Sequence, residues 1–170
     1  MTSATPRRHR AAAWACCAWL AFFVVSHVLA VIFPGEDPTG DGPWGRTAYV
    51  VYNVVLIAMA AAGAVLVLAA VRPWGRRLPR PLVLVPLWFG SVLLVVRGVP
   101  GMAENVLVVT GVAPHGLLGT IDGAEADPGT RQFWTSMAVN AYFFLGAVTL
   151  LPVARAATRR RPPSPGTRAG

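Results

Sequence analysis

Four runs of apolar residues, at 11–33, 48–71, 82–99 and 133–153, decide what this 170-residue chain can fold into. A helix rises about 1.5 Å per residue, so the ~30 Å hydrocarbon core of a bilayer takes about 20 residues to cross, and each run is close to or above that length. Inside lipid the backbone N–H and C=O groups have no water to bond, which leaves the α-helix as the form such runs take. The expected fold is therefore all-α, a four-transmembrane-helix bundle at 11–154, flanked by a basic tail at 1–10 and a disordered basic tail at 155–170. The closing stretch "RRRPPSPGTRAG" has too few apolar residues to pack. The first run exceeds the roughly 7–15 residues of a signal-peptide core and ends in "AVIFPGE", without a small-x-small cleavage site, so it is expected to remain as an anchor.

A net charge of +8 suggests nucleic acid until the charges are placed along the chain. Arg7, Arg8 and Arg10 precede the first run, Arg72, Arg76, Arg77 and Arg80 lie between the second and third, and Arg155, Arg159, Arg160, Arg161 and Arg168 follow the fourth. Glu36, Asp37, Asp41, Glu104, Asp122, Glu125 and Asp127 lie in or beside the other two connections. Short arginine-rich segments stay in the cytoplasm, and an even number of spans returns the chain to its starting side. The expectation is a multi-pass cell-membrane protein with both termini cytoplasmic. The charge is accounted for by topology, which excludes nucleic acid as a partner; membrane lipids are expected instead, with a membrane-protein partner or a second copy as further candidates. All fifteen basic residues are arginine, which reads as the coding bias of a high-GC bacterium. Cys16 and Cys17 fall early in the first helix and read as small apolar fillers on a reducing side; no metal site or cofactor is expected.

The outer connections carry more. The first, "PGEDPTGDGPWGR", is rich in turn residues and offers Trp44 as an interfacial anchor. The second spans about 100–132, long for a connection in so small a protein. Gly98 and Pro100 are expected to break the third helix beside Arg97, and the apolar run "VLVVTGV" is too short to cross, so 102–110 is expected to form a short interfacial helix. No internal repeat is evident, which weighs against an inverted-repeat transporter.

Hydrogen-bonding side chains inside the runs gather in one outer layer. By the helical rise, His27 lies about 9 Å below the outer surface, Tyr52 and Asn53 about 6–8 Å, and Ser136, Asn140 and Tyr142 about 5–14 Å. Cys16, Leu20, Phe23 and His27 share a stripe, as do Tyr49, Asn53, Leu56, Ala60 and Gly63; Gly90, Leu94 and Arg97 align, and Ser136 and Asn140 are one turn apart. Polar groups in lipid cost several kilocalories unless they find partners. A polar cavity open to the extracytoplasmic side is the expectation, with Arg97, Glu104, Asn105, Tyr52, Asn53 and Asn140 as ligand-binding candidates. An Arg97–Glu104 ion pair near His27 is the preferred constellation. The competing reading stays open: such groups also act as interhelical glue, worth about 0.6 kcal/mol each, and an arginine at a helix end also snorkels to headgroups. His115 reads as an exposed loop residue.

There is no HExxH, no Cys-x-x-Cys, no phosphate-binding glycine loop, no nucleophile elbow and no acidic residue in mid-helix. The late first-helix histidine, the "RGVPGM" after the third run and the last helix with "AYFFLGAV" resemble small four-helix actinobacterial integral membrane proteins catalogued as domain of unknown function 3995, over roughly residues 19–151. The chain departs from that family after His27, where "VLAVIF" stands in place of a Trp-Ala-x-Gly-Gly-like continuation. The resemblance implies the four-helix architecture and the importance of His27 and Arg97, and it brings no activity. Two functions follow from the residues: a module binding a lipid, small amphipathic ligand or membrane partner, or an enzyme on a lipidic substrate with His27 as general acid or base and Arg97 holding an oxygen.

Overall fold

The computed structural model describes residues 5–33, 45–117 and 127–159, all helical apart from short turns and helix ends. Helix α1 is Thr5–Ile32, α2 Gly45–Val71, α3 Arg80–Val109 and α4 Arg131–Arg159, with a 3-10 turn at Pro73–Arg77 between α2 and α3. All four helices are long and apolar enough to cross a membrane, with spans of 23, 27, 30 and 29 residues. Large apolar side chains such as Phe22, Val51, Val85, Phe89, Val96 and Leu145 stay exposed along them, as on a bundle whose solvent is hydrocarbon. The first connection with Trp44, Asp122 and Glu125, and the C-terminal tail from 160 onward lie outside the described residues.

Packing is closest within the pairs α3–α4 and α1–α2; α1 also rests on α4, the contacts of α2 with α3 and α4 are lighter, and α1 and α3 occupy opposite corners. Most of the apolar core gathers at the arginine-rich end, where Ala13, Cys16, Val67, Ala70, Val83, Leu87, Leu150, Val153 and Ala154 meet. Small residues there let the four helices approach. The same end is tied by the indole N–H of Trp88, which donates to the Thr158 hydroxyl at 3.0 Å, and by Arg80, which donates to the Thr158 carbonyl. At the far end the apolar cluster shrinks to Val108, Phe133 and Met137.

Two expectations change. Helix α4 continues through Arg155 to Arg159, so the first part of the expected C-terminal tail is helical. Helix α3 does not break at Gly98–Pro100: it carries Pro86 and Pro100 within one continuous helix, and 102–109 are its last turns rather than a separate interfacial helix. Proline removes one backbone bond and crowds the carbonyl four residues back, but flanking packing can hold a membrane helix together across it. Here that packing is α4. A Cβ on Gly98 would lie 2.6 Å from the Phe144 nitrogen and 2.7 Å from the Phe143 carbonyl carbon, so the two backbones touch at this point. The helix ends instead at Thr110–Gly111, where Gly111 takes a φ of 74° and its N–H bonds the Val108 carbonyl at 3.1 Å.

Candidate functional site

Because α3 stays helical past Pro100, Arg97, Gly101, Glu104, Asn105 and Val108 recur at one helical face, and that face meets α4. Arg97 Nη1 donates to Asn140 Oδ1 at 2.8 Å, Asn140 Nδ2 donates to Asn105 Oδ1 at 2.9 Å, and Asn105 Nδ2 donates to the Met137 carbonyl at 2.9 Å. The direction is fixed at both ends. A guanidinium only donates and a carbonyl only accepts, so neither amide can be turned round without breaking a bond. Asn140 is fully buried and Asn105 nearly so, while Arg97 is half-buried with its guanidinium 5.3 Å from the centre of the Phe143 ring. Gly101 makes the space: a Cβ there would sit 2.6 Å from Asn140 Oδ1 and 2.8 Å from Arg97 Nη1.

No ion pair joins Arg97 to Glu104 among the described residues. Glu104, fully buried in the last turns of α3, accepts the Leu117 N–H at 3.0 Å, a bond reaching 13 residues along the chain. The chain after Gly111 therefore folds back over the end of its own helix, and a carboxylate oxygen takes up a backbone N–H there. Glu104 was expected on a short interfacial helix outside the spans; the unbroken α3 puts it in the last turns of a membrane-length helix.

The α1 and α2 candidates are arranged differently. His27 is half-buried, with Nδ1 2.9 Å from the Phe23 carbonyl and its ring stacked on Phe23 at 3.9 Å. A carbonyl only accepts, so this contact places the hydrogen on Nδ1. Ser26 donates to the same carbonyl at 2.9 Å. Asn53 is buried and donates to the Tyr49 carbonyl of its own helix at 2.8 Å, while Tyr52 is 62% exposed on the outside of the bundle. A chain of ring contacts runs from His27 to Arg97: His27 on Phe23, Phe23 stacked with Tyr142 at 6.2 Å, Tyr142 edge-on to Phe143 at 6.0 Å, and Phe143 beside the Arg97 guanidinium. Tyr142 is clasped to α1 by a reciprocal pair, the Trp19 indole N–H donating to the Tyr142 carbonyl at 2.9 Å and the Tyr142 hydroxyl to the Trp19 carbonyl at 3.1 Å. Arg97, Asn105 and Asn140 thus come together, with Glu104 on the same helix face, whereas His27, Tyr52 and Asn53 are held elsewhere. His115 is exposed in the turn after α3.

Sequence reasoning missed Gly101, Phe143 and the Trp19–Tyr142 clasp as parts of this layer. The signal for Gly101 was present: Gly98 and Gly101 are three apart, which puts two small residues on one helical face where a second helix can close up, but Pro100 between them read as a terminator. Among the described residues no group of three or more His, Cys, Asp or Glu side chains could hold a metal ion. Four helices of membrane length, two of them joined by a buried polar relay, are compatible with a small integral membrane protein. No family model, curated protein or solved structure matches the chain.

Proposed function

We propose that the chain is a binding module of the cell membrane, with both termini cytoplasmic, that holds a lipid, a small amphipathic ligand or a membrane partner at the extracytoplasmic end of α3 and α4. One observation carries this reading. Arg97 is half-buried and fixed by Asn140 and Phe143, yet among the described residues neither Nε nor Nη2 is bonded to a protein acceptor. Among the described residues no buried side-chain nitrogen or oxygen lacks a partner, so these two nitrogens reach the bundle surface. A cation held in place with donors to spare is suited to recognition. The orientation rests on the arginine segregation, with Arg72, Arg76, Arg77, Arg80, Arg155 and Arg159 at the end opposite Arg97. The resemblance to domain of unknown function 3995, carried by the motifs around His27, Arg97 and Tyr142, belongs to the same proposal and adds no activity.

The enzyme reading, with His27 as acid or base, needs His27 and Arg97 on one substrate. The rings of Phe23, Tyr142 and Phe143 between them favour binding over catalysis. The experiment is mass spectrometry of lipids carried through purification in mild detergent. A reproducible species enriched over the bulk extract is expected; a spectrum matching bulk lipid would overturn the binding reading.

A further inference from the structure

We propose that the ligand at this site presents an oxyanion, the phosphate of an anionic lipid headgroup, gripped side-on by Nε and Nη2 of Arg97; this rests on the binding reading above. The geometry of the guanidinium supports it. Nη1 is committed to Asn140, which leaves the side edge, Nε with Nη2, whose two N–H bonds run parallel and match two oxygens of a phosphate or carboxylate. A snorkelling arginine is loose, but this one is oriented by a chain of fixed bonds. The Met137 carbonyl holds Asn105, Asn105 holds Asn140, and Asn140 holds Nη1, with the Phe143 ring to one side and the missing Cβ of Gly101 leaving the room. Such preorganisation removes ordering cost from binding.

Depth agrees with a headgroup. About 20 residues cross the hydrocarbon core, and counted from Arg80, where the arginine-rich end stops, that number reaches the level of Gly101. The guanidinium extends from Arg97 towards Gly101, so it lies at the far boundary of the hydrocarbon, where a lipid offers its ester and phosphate oxygens. Free phosphate presents the same oxygens without the acyl chains. The exposed Val92, Val96 and Val99 of α3 provide apolar surface for such chains.

The test uses the full chain in nanodiscs containing a small fraction of phosphatidylglycerol in phosphatidylcholine, with retained lipid counted by native mass spectrometry. Phosphatidylglycerol is expected to be enriched roughly tenfold over its share, a size in keeping with one bidentate charge-assisted contact. Arg97→Lys and Arg97→Gln should each remove the enrichment, and Gly101→Ala should reduce it by displacing Nη1 and Asn140. Arg46→Gln, which removes an exposed arginine from the start of α2 at the same end, should leave it unchanged. Circular dichroism and thermal unfolding of each variant separate lost binding from lost fold. Enrichment that survives both Arg97 variants in folded protein overturns the proposal, as does displacement of the lipid by inorganic phosphate in excess, which would make the free ion the ligand. Enrichment of phosphatidylcholine instead, whose phosphate is neutralised by its own choline, overturns the assignment to an anionic headgroup and leaves the binding module standing. Retention of no species above its bulk share overturns both.

Discussion

At the far end of the bundle two helix pairs carry the same kinds of polar side chain and use them in opposite ways. On α3 and α4, Arg97, Asn105 and Asn140 reach across the interface and bond each other or the partner's backbone. On α1 and α2, Ser26, His27 and Asn53 turn back and bond carbonyls three or four residues earlier on their own helix. Backbone separation accounts for the difference. Gly98 brings the α3 and α4 backbones into contact, and at that distance a short amide spans the gap. At Gly63, ten residues along α2 from Asn53, a Cβ would meet only the Leu20 side chain, at 3.8 Å, and at the far end it is the longer Tyr49 side chain that crosses to α1, donating to the Ala30 carbonyl at 3.4 Å, while the shorter polar groups bond their own helix. A polar residue in a membrane helix therefore marks a site only where small residues bring a second helix within reach.

The largest expected effect attacks that spacing. Gly98→Ala forces a methyl into the backbone of Phe143 and Phe144 and should destabilise the bundle by about 1–3 kcal/mol, or more if α4 cannot shift. Gly63→Ala should be neutral or stabilising by about 0.5–1 kcal/mol, since ordinary contact awaits the methyl and alanine is the better helix former. Unfolding of both variants in mild detergent measures the contrast. Equal responses would mean that the two pairs are not spaced differently.

A second test exchanges the amides. Asn140→Leu leaves Arg97 Nη1 without its acceptor and Asn105 Oδ1 without its donor, and a stranded buried polar group costs about 1–3 kcal/mol. Asn53→Leu removes a residue bonded to its own helix and strands only the Tyr49 carbonyl, which already has its place in the helical ladder, so a change within about 0.5 kcal/mol is expected. Asn140→Asp sharpens the point. It keeps the acceptor for Arg97 but loses the donor to Asn105, so the relay should fail at its second link while the first survives.

Much of this was legible in the sequence. The four helices follow from run length, and the inward stripe of α2 holds, with Asn53 and Ala60 buried on it. The convergence of Arg97 and Asn140 on one layer follows from depth alone. What stayed hidden depends on tertiary packing. Pro100 has the local chemistry of a helix terminator, and only contact with α4 overrides it, which also moves Glu104 and Asn105 from an expected short interfacial helix onto the buried face of α3. Arg97 was expected to pair with Glu104 because opposite charges attract, yet Asn140 lies nearer its reach and Glu104 is occupied by the Leu117 N–H. His27 shared a depth with Arg97, but depth does not tell which side of α4 a residue faces, and the two helices sit at opposite corners.

The smallest expected effect concerns that histidine. His27 bonds its own helix through Nδ1 and stacks on Phe23, so among the described residues His27→Ala breaks no hydrogen bond between helices and should change stability within about 0.5 kcal/mol. Its relevance is functional. Rings of Phe23, Tyr142 and Phe143 separate it from Arg97, so a ligand held by the Arg97 fork need not touch it. His27→Asn is the more discriminating change: asparagine can still bond the Phe23 carbonyl, but it has no ring nitrogen to take up or release a proton. Lipid retention by His27→Asn should match the parent chain while Arg97→Lys loses it. If His27→Asn instead abolished retention, or blocked turnover of a lipid that the parent chain consumes, the aromatic wall would have to open during function, and α1 would join α3 and α4 as part of a single site.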